Sequence, residues 1–332
     1  MQGEQEYTES VPVYLAPMAG ITDLPFRRLA ARFGRVRVVS EMIASRDILT
    51  NRPGTRARVE LGLGLDYTAV QLAGRDPYWM AEAARLCEAN GARVIDINMG
   101  CPAKKVTSGS GLGAAGSALL REPDLALRLI EAVVAAVTVP VTLKTRLGWD
   151  DGCQNAPALA AKAEAAGITM IAIHGRTRCQ FYRGTADWRA IARISEAVRI
   201  PVVANGDIKD EQDARSALKA SGAQGVMIGR AARGQPWLPA RIAAELNNQT
   251  APAVPRGSAL ASMVQDHYDA MLGFYGRDLG LRVARKHLSW YMDGAGTSPP
   301  LRHSILTETR SDSVMQRLPE AFDCVLSEDR AA

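Results

Sequence analysis

Polar and ionisable side chains stand at the ends of several apolar, β-branched runs of this sequence. Lys144 ends the run VPVTLK, Gln71 is the next-to-last residue of YTAVQL, and His174 ends ITMIAIH. A lysine among Val, Thr and Leu is costly unless it is paired, so it either reaches solvent or faces an anionic ligand. A glutamine amide can pair with an imide-like edge, although a buried structural glutamine explains it equally well. A histidine at such a position can carry a proton or donate a hydrogen bond to a ligand oxygen.

The last two apolar runs end in glycine-containing segments, NGD (205–207) and GR (229–230). Glycine lets backbone N–H groups approach an anion, and an arginine adds a charged fork. In a (β/α)₈ barrel, the loops after strands seven and eight are the recurrent phosphate site. The sequence therefore predicts a ligand with a terminal phosphate, whose ring lies across the barrel mouth toward Lys144 and Gln71.

The fourth run leads into a long loop of small residues, NMGCPAKKVTSGSGLGAAG (98–116), which is typical of a segment that moves over a site. Cys101 is the one cysteine at a predicted strand end, and either a structural or a reactive thiol fits it. The four histidines lack metal-ligand spacing and the five cysteines form no CxxC pair, so we expect no metal. An odd number of cysteines without a pairing pattern favours a reducing cytoplasm.

Eight β-branched runs alternate with Ala- and Leu-rich helical stretches over the first three quarters of the chain. Several of these stretches end in glycine, the expected residue just after a helix. Eight strand–helix units predict an α/β fold, a closed (β/α)₈ TIM barrel, because an open sheet would carry a GxGxxG turn after its first strand. The runs are VYLAP (13–17), VRVVSE (36–41), YTAVQL (67–72), RVIDIN (93–98), VPVTLK (139–144), ITMIAIH (168–174), IPVVAN (200–205) and QGVMIG (224–229).

The pattern changes after Leu246. Residues 247–257 (NNQTAPAVPRG) read as a polar, Pro-rich linker, and residues 258–332 show helical patterns without a strand signal. We therefore expect a barrel over 1–246 followed by a small all-helical C-terminal domain. The segment from Ser304 onward contains six acidic and three basic residues, which predicts a solvated helical end.

Composition limits the class of protein. A hydrophobic fraction of 47% and a charged fraction of 23% indicate a globular chain with a sizeable core. No apolar stretch is long enough to cross a bilayer, and the polar N-terminus has no signal-peptide core, so we expect no membrane contact. The net charge is +5, and only seven of the 40 basic residues are lysines. Abundant arginine permits a nucleic-acid partner, although codon bias explains it as well. We expect a monomer.

Taken in chain order, the strand ends resemble those of the tRNA-dihydrouridine synthases, flavin enzymes that reduce a uridine in tRNA. LRVARKHLSWY, near the C-terminus, is similar to the helical tRNA-binding domain of that family. The resemblance covers nearly the whole chain and is to the bacterial B-type branch, some members of which were first described as nitrogen-regulation proteins. The matching elements are APMAGITD, VQLAG, DINMGCPAKKVTSGSGLGAA, LKTRLGW, HGRT, VVANGDI and MIGRAA.

The resemblance implies FMN in the barrel mouth, with NADPH or NADH as reductant. Gln71 would pair with the pyrimidine edge of the flavin, and Lys144 would stabilise negative charge on the reduced ring. His174 is also expected to contact the cofactor. The other implied residues are Pro17, Met18 and Ala19, whose backbone would border the ring, and Asn205, Gly206, Asp207, Gly229 and Arg230, which would hold the phosphate end.

The implied reaction delivers hydride from flavin N5 to C6 of a D-loop uracil, and Cys101 then protonates C5. Asn98 would help to hold the base, which must be extruded from the folded tRNA. A thiol must stay protonated to act as an acid, so Lys104 and Lys105 are expected to point outward toward RNA phosphates. The other expected tRNA contacts are Arg146 and Arg176 in the barrel, and Arg282, Arg285 and Lys286 on one helix face with His287 at its edge.

Three alternatives stay open. A flavin barrel that acts on a free pyrimidine, similar to dihydroorotate dehydrogenase, would not need the basic cluster at Arg285, Lys286 and His287. A regulatory RNA-binding protein would use the barrel as a scaffold, without a cation, an amide and a thiol at its mouth. A phosphosugar isomerase would need a carboxylate base at a strand end, and the candidate for it, Glu41, is better explained as a loop charge.

Overall fold

The computed structural model describes residues 10–50, 68–108 and 114–322. The predicted mobile loop therefore lies partly outside the described residues, as do the chain's first nine and last ten residues. The strands within these ranges are β1 (Val13–Leu15), β2 (Arg37–Val39), β3 (Ile43–Ala44), β4 (Thr68–Ala73), β5 (Val94–Met99), β6 (Val141–Arg146), β7 (Met170–His174), β8 (Val202–Asn205) and β9 (Gly225–Ile228).

Eight of these strands close into a parallel barrel. They are hydrogen-bonded in the order β2-β1-β9-β8-β7-β6-β5-β4, and β2 also pairs with β4, Val38 lying opposite Thr68. The two-residue strand β3 extends the sheet beside β4, with Ile43 opposite Leu72. The predicted (β/α)₈ barrel is confirmed, and its strands coincide with the eight apolar runs. Both faces of each strand are covered, which is why the runs are continuously apolar rather than alternating.

Helices cover the outside of the barrel, and several begin at an aspartate that caps the first turn. Asp23, Asp76, Asp187 and Asp210 each accept a hydrogen bond from a backbone N–H of the helix they precede. The helices of this part are α1 (Leu24–Ala31), α2 (Ser45–Leu49), α3 (Pro77–Ala89), α4 (Lys104–Thr107), α5 (Pro123–Val134), α6 (Ala156–Ala165), α7 (Trp188–Ser195), α8 (Glu211–Ser221) and α9 (Leu238–Leu246).

Residues 247–256 contain no helix or strand, and four more helices follow. Their buried side chains form a second hydrophobic cluster around Val264, Met271 and Met292. The cluster also includes Leu29 and Trp237 from the barrel part, and the division into barrel, linker and helical domain stays a prediction. None of the helices in the described ranges has the length and apolar character of a membrane span. The helices are α10 (Gly257–Tyr275), α11 (Arg277–Gly294), α12 (Pro299–Thr307) and α13 (Ser311–Arg317).

The segment after Ser304 packs into this second cluster as far as the structure describes it. Val314, Leu318 and Phe322 are all buried there. They recur every four residues, which places them on one side of a helical path. The predicted solvated end was wrong for this part, because the acidic count overlooked the apolar stripe.

Candidate active site

Predicted site residues line up at the carboxyl ends of the barrel strands. The strand register sets Asn98 opposite Lys144, Arg146 opposite His174, and His174 opposite Asn205. Strand β6 runs on to Arg146, so Lys144 is not its last residue. Because side chains alternate along a strand, Lys144 and Arg146 lie on the same side.

A buried hydrogen-bond network fixes the amide of Gln71. Its Nε2 donates to Asp96 Oδ2 at 2.7 Å, and its Oε1 accepts from Asn98 Nδ2 at 2.8 Å. Thr142 Oγ1 donates to the other oxygen of Asp96 at 2.6 Å. Burial raises the pKa of Asp96, although the bonds from Thr142 and Gln71 oppose that rise. One N–H and one lone pair of Gln71 are left in this network for the edge of a planar ligand.

Asp96 is a site residue that the sequence reasoning missed. Its signal was present, since a carboxylate in the apolar run RVIDIN is costly to bury without partners. In the structure, Asp96 lies on the strand next to Gln71 and orients its amide by accepting a hydrogen bond from Nε2.

Cys101 lies at the mouth in a backbone that neighbouring side chains hold in place. Its N–H donates to Asn98 Oδ1 at 2.9 Å, and its carbonyl accepts from Ser117 Oγ at 2.8 Å. Asn98 therefore connects the amide of Gln71 to the loop that carries the thiol. The side chain of Cys101 is partly accessible, and no disulfide engages it.

Lys144 faces the mouth, and within the described ranges no carboxylate is bonded to it. Its Nζ donates to Asn205 Oδ1 at 3.0 Å, and Asn205 Nδ2 in turn donates to Met227 O at 2.8 Å. Burial, with a contribution from Arg146, lowers the pKa of Lys144 to about 8, so the ammonium form still dominates at neutral pH. A cation held there without a bonded anion is suited to an anionic ligand.

His174 is neutral in this site. Burial lowers its pKa well below 6.5, and the surrounding cations Arg146, Lys144, Arg176 and Arg230 lower it further. Arg176 Nη1 lies 3.2 Å from His174 Nε2 and can only donate, so the ring proton belongs on Nδ1. Of the two roles left open by the sequence, this geometry favours the hydrogen-bond donor over the proton carrier.

Arg176 is buried, and protein groups engage all its donors. Nη2 and Nη1 bind the two oxygens of Asp207 at 2.5 and 3.1 Å, and further N–H groups reach the carbonyls of Arg183 and Gly184. Nothing is left to contact RNA, so the predicted contact gives way to a role in positioning Asp207. Arg230 Nη2 also reaches Asp207, at 3.1 Å, but its side chain stays exposed at the mouth.

The turn after β8 forms a tight backbone cradle. Gly206 has φ +118° and Asp207 has φ +54°, in the region that side chains rarely adopt. A Cβ at position 206 would lie 2.7 Å from Ala186 Cβ, so only glycine fits. With Gly229 and Arg230 beyond the neighbouring strand β9, this cradle suits a phosphate.

Arg146 is also buried and joins two loops at the mouth. Its Nε donates to Gly100 O at 2.8 Å, and its Nη1 donates to Thr177 O and Phe181 O at 3.0 and 2.8 Å. Burial lowers its pKa to about 10. In place of the predicted RNA contact, Arg146 holds the Cys101 loop against the loop after β7.

Two aromatic side chains at the rim were missed by the sequence reasoning. Phe181 and Tyr182 are 38% and 46% exposed, and the guanidinium carbons of Arg146 and Arg230 lie 5.4 and 5.1 Å from the Tyr182 ring centroid. The segment RCQFYRG shows neither helical nor strand periodicity. The one feature of its sequence that could have indicated a binding surface is the pair of adjacent aromatic residues between arginines.

The loop after β1, which carries Pro17, Met18 and Ala19, is held from the side of the helical domain. Gly20 N donates to the carboxylate of Glu41, and the ammonium of Lys286 lies beside Gly20. Pro17 and Met18 are half-buried, and Ala19 is exposed. Glu41 is buried, so its interpretation as a loop charge was wrong.

The predicted basic face of α11 is split in the structure. Arg282 is exposed, Arg285 Nη2 donates to Glu308 O at 3.2 Å, and Lys286 is half-buried against the barrel. His287 does not lie at the edge of this face, because it is fully buried against Phe26.

Lys104 and Lys105, in contrast, are both exposed on α4, as expected of lysines that point outward.

Known proteins resemble this chain over nearly its whole length. A family model described as "Dihydrouridine synthase (Dus)" matches residues 14–325. A probable tRNA-dihydrouridine synthase of Rhodobacter capsulatus is 58% identical over 313 residues, 94% of each chain. The tRNA-dihydrouridine synthase B of Xanthomonas campestris is 42% identical over 321 residues, 97% of this chain and 96% of its own. The resemblance read from the sequence is confirmed, and the chain belongs to the dihydrouridine synthase family.

Proposed function

We propose that this protein is a flavin-dependent tRNA-dihydrouridine synthase that reduces the C5–C6 bond of a D-loop uridine in tRNA. The observation that carries the proposal is the joint presence, at one barrel edge, of an oriented amide at Gln71, an unpaired cation at Lys144 and a thiol at Cys101. The relatives' names add the substrate. A free pyrimidine is not favoured, because those relatives match the helical part as well.

The residues present fit FMN as the cofactor. Gly206, Asp207, Gly229 and Arg230 would hold the phosphate in the backbone cradle, and Gln71 would pair with the ring edge. Lys144 would place its positive charge beside the ring, and His174 would donate from Nδ1. Backbone groups of residues 17–19 would border the ring. Bound FMN would supply hydride chemistry, and NADPH is the proposed source of electrons.

Cys101 would act as the general acid that delivers a proton to C5 of the uracil. Its backbone is held by Asn98 and Ser117, so the partly accessible thiol keeps its place at the mouth. Asn98 would contact the base with the N–H that the network leaves free. A positioned acid of this kind contributes typically ~10²–10⁴-fold to a rate.

tRNA would reach the mouth across exposed groups around its rim. Phe181 and Tyr182 offer aromatic faces for unstacked bases, and the exposed Lys104, Lys105 and Arg282 offer phosphate contacts. Arg285 and Lys286 stay in the proposal as weaker contacts, because both are engaged within the protein. Work on tRNA would place the protein in the cytoplasm, acting as a monomer and without a metal.

Nucleoside analysis of tRNA tests the proposal directly. tRNA from cells that lack this protein should lose one or more dihydrouridines, and the purified, flavin-loaded protein with NADPH should restore them. The purified protein should also be yellow. Folded protein that stays colourless with added FMN, or tRNA with unchanged dihydrouridine, would refute the proposal.

A further inference from the structure

A cleft lies beside the mouth, where the barrel meets the helical domain. Its volume is about 710 Å³, within the range of ~300–1,000 Å³ typical of cofactor sites. Three segments form its walls, namely the turn after β9 (230–235), the linker end (254–257) and the end of α11 (290–295). None of the residues assigned to the reaction, other than Arg230, lines it.

The cleft is lined by unbalanced positive charge. Arg230, Arg233 and Arg256 face it, and its one carboxylate, Asp293, is already paired with Arg302 at 2.7 Å. Of the ion pairs formed by the described residues, none includes Arg233 or Arg256. Arg233 Nε donates to Arg230 O at 3.0 Å, which keeps the two arginines side by side. Arg230 is paired with Asp207, but Arg233 and Arg256 have no such partner among the described residues, so they favour an anion, and arginine forks favour a phosphate.

An aromatic wall stands next to these cations. The guanidinium carbon of Arg233 lies over the Trp290 ring, 5.1 Å from its centroid, which is a cation–π contact. A planar guanidinium held in this way offers its other face to a flat base and its N–H edge to a phosphate. The site therefore suits a nucleotide, which combines a flat base with an anionic phosphate.

We propose that this cleft binds the adenosine end of the reducing dinucleotide, with the 2′-phosphate of NADPH held by Arg233 and Arg256. The inference rests on the proposed function, since it names the site of that reaction's reductant. Arg230 is shared by the cleft and the phosphate cradle, so a ligand here is continuous with the mouth. Walls on three sides suit one nucleotide better than an RNA strand, for which the exposed Lys104, Lys105 and Arg282 lie outside the cleft.

The test is calorimetric titration of the flavin-loaded protein with adenosine 2′,5′-bisphosphate. Arg233→Ala and Arg256→Ala should each weaken binding about tenfold to a hundredfold, the loss expected for a charged hydrogen bond. Adenosine 5′-monophosphate should bind more weakly than the bisphosphate, and Arg256→Ala should raise its Kd by a smaller factor. Arg215→Ala, a change of an exposed arginine on α8, should bind like wild type. The Kd of NADPH for flavin reduction without tRNA should rise in parallel.

Two results would overturn the inference. One is bisphosphate binding that is absent, or unchanged in both cleft variants. The other is a rise in the Kd of tRNA in these variants while the Kd of NADPH stays constant, which would assign the cleft to RNA. The titration needs neither tRNA nor turnover, so its failure in a protein that still forms dihydrouridine counts against the cleft alone.

Discussion

Two clusters of polar side chains, one at the barrel mouth and one at the junction between barrel and helical domain, differ in charge balance. The mouth cluster contains four positively charged side chains and two carboxylates. The junction cluster contains two positively charged side chains and two carboxylates. In a balanced cluster the charges can pair with one another, whereas a surplus of cations, three of them buried or half-buried, favours an anion from outside. The mouth cluster is Lys144, Arg146, Arg176, Arg230, Asp96 and Asp207. The junction cluster is Asp23, Arg27, Glu41 and Lys286, with the phenol of Tyr275.

The junction cluster shows what self-sufficient polar burial looks like. Asp23 accepts from Phe26 N and from Tyr275 Oη, each at 3.0 Å, and Arg27 Nη1 donates to Thr22 O at 2.7 Å. Burial raises the pKa of Asp23 to about 6. The bond from Tyr275 ties α10 to the start of α1. The junction thus stabilises the packing of α10 against α1, whereas the mouth keeps a surplus of positive charge.

Cys101→Ala should give the largest effect, confined to the mouth. Dihydrouridine formation should fall ~10²–10⁴-fold because the proton for C5 has lost its donor. Flavin content, NADPH oxidation and the melting temperature should stay near wild type, since the thiol supports neither binding nor packing. Single-turnover assays on tRNA measure the loss, and Cys179→Ala, which removes an exposed free thiol, is the control. A Cys101→Ala enzyme with near-normal turnover would remove the thiol from the reaction.

Arg230→Ala should separate ligand binding from stability. The Kd of FMN should rise by the equivalent of about 1.5–3 kcal/mol, the usual worth of a hydrogen bond to a charged group. The cofactor-free protein should unfold about as easily as wild type, because the ion pair lost with Asp207 is partly exposed and the change also relieves repulsion among the mouth cations. Fluorescence titration with FMN and thermal unfolding measure the two quantities. A destabilised cofactor-free variant with unchanged FMN affinity would contradict the contrast between the clusters.

Asp23→Ala should instead lower stability, by about 1–2 kcal/mol, since it removes a helix cap and a partner of Tyr275. Asp23→Asn keeps an acceptor for Phe26 N, and its amide N–H can donate to the phenol oxygen of Tyr275. The folded pKa is raised to about 6 from 3.8, so the stability due to Asp23 is full below pH 3.8 and is lost as pH rises through 6. At pH 7, Asp23→Asn should therefore be as stable as wild type or more so. Urea unfolding measures both variants, and equal losses in the two would disprove this account.

Two buried histidines next to the junction cluster give a pH dependence of the opposite sign. Burial lowers the pKa of His267 to about 3 and that of His287 well below 6.5. Their contribution to stability is thus present above pH 6.5 and is lost as pH falls toward 3, at up to about 1.4 kcal/mol per pH unit for each.

His287→Phe should make the fall in unfolding free energy between pH 6.5 and 5 shallower than in wild type. Neither ring nitrogen of His287 has a hydrogen-bond partner among the described residues, so the variant should keep its stability at pH 7.5. Denaturant unfolding at several pH values gives the slopes. Parallel slopes in the two proteins would exclude His287 as the cause.

The smallest expected effect is on the salt dependence of tRNA binding. Arg282→Ala should weaken binding a few-fold and reduce the slope of log K against log salt by about 0.7–0.9, the share of one phosphate contact. Arg285→Ala should change the slope less, because its guanidinium is engaged with Glu308 O. Filter binding at several salt concentrations measures both. If Arg285→Ala reduced the salt slope more than Arg282→Ala, the uniform basic face predicted from the sequence would be the better description.

Much of the fold was readable from the chain because both faces of a barrel strand are buried. That burial leaves continuous apolar runs, and all eight coincide with strands. Polar residues at the ends of those runs, such as Gln71, Lys144 and Asn205, were found because chemistry lies at one end of every strand in this fold. Glycine in NGD was also readable, since the cradle leaves no room for a Cβ.

What the sequence could not decide is which charges meet. Arg146 and Arg176 look the same as Arg230 along the chain, yet the first two are buried on carbonyls and on Asp207, while the third stays open. Glu41 and Lys286 stand 245 positions apart and come together only through the docking of α11 on the barrel. Local sequence sets which residue types reach a strand end, because strand periodicity is local. Which groups a charged side chain bonds to depends on contacts between residues far apart in the sequence. Only the tertiary structure therefore distinguishes a buried arginine that positions a loop, such as Arg146, from an exposed one, such as Arg230.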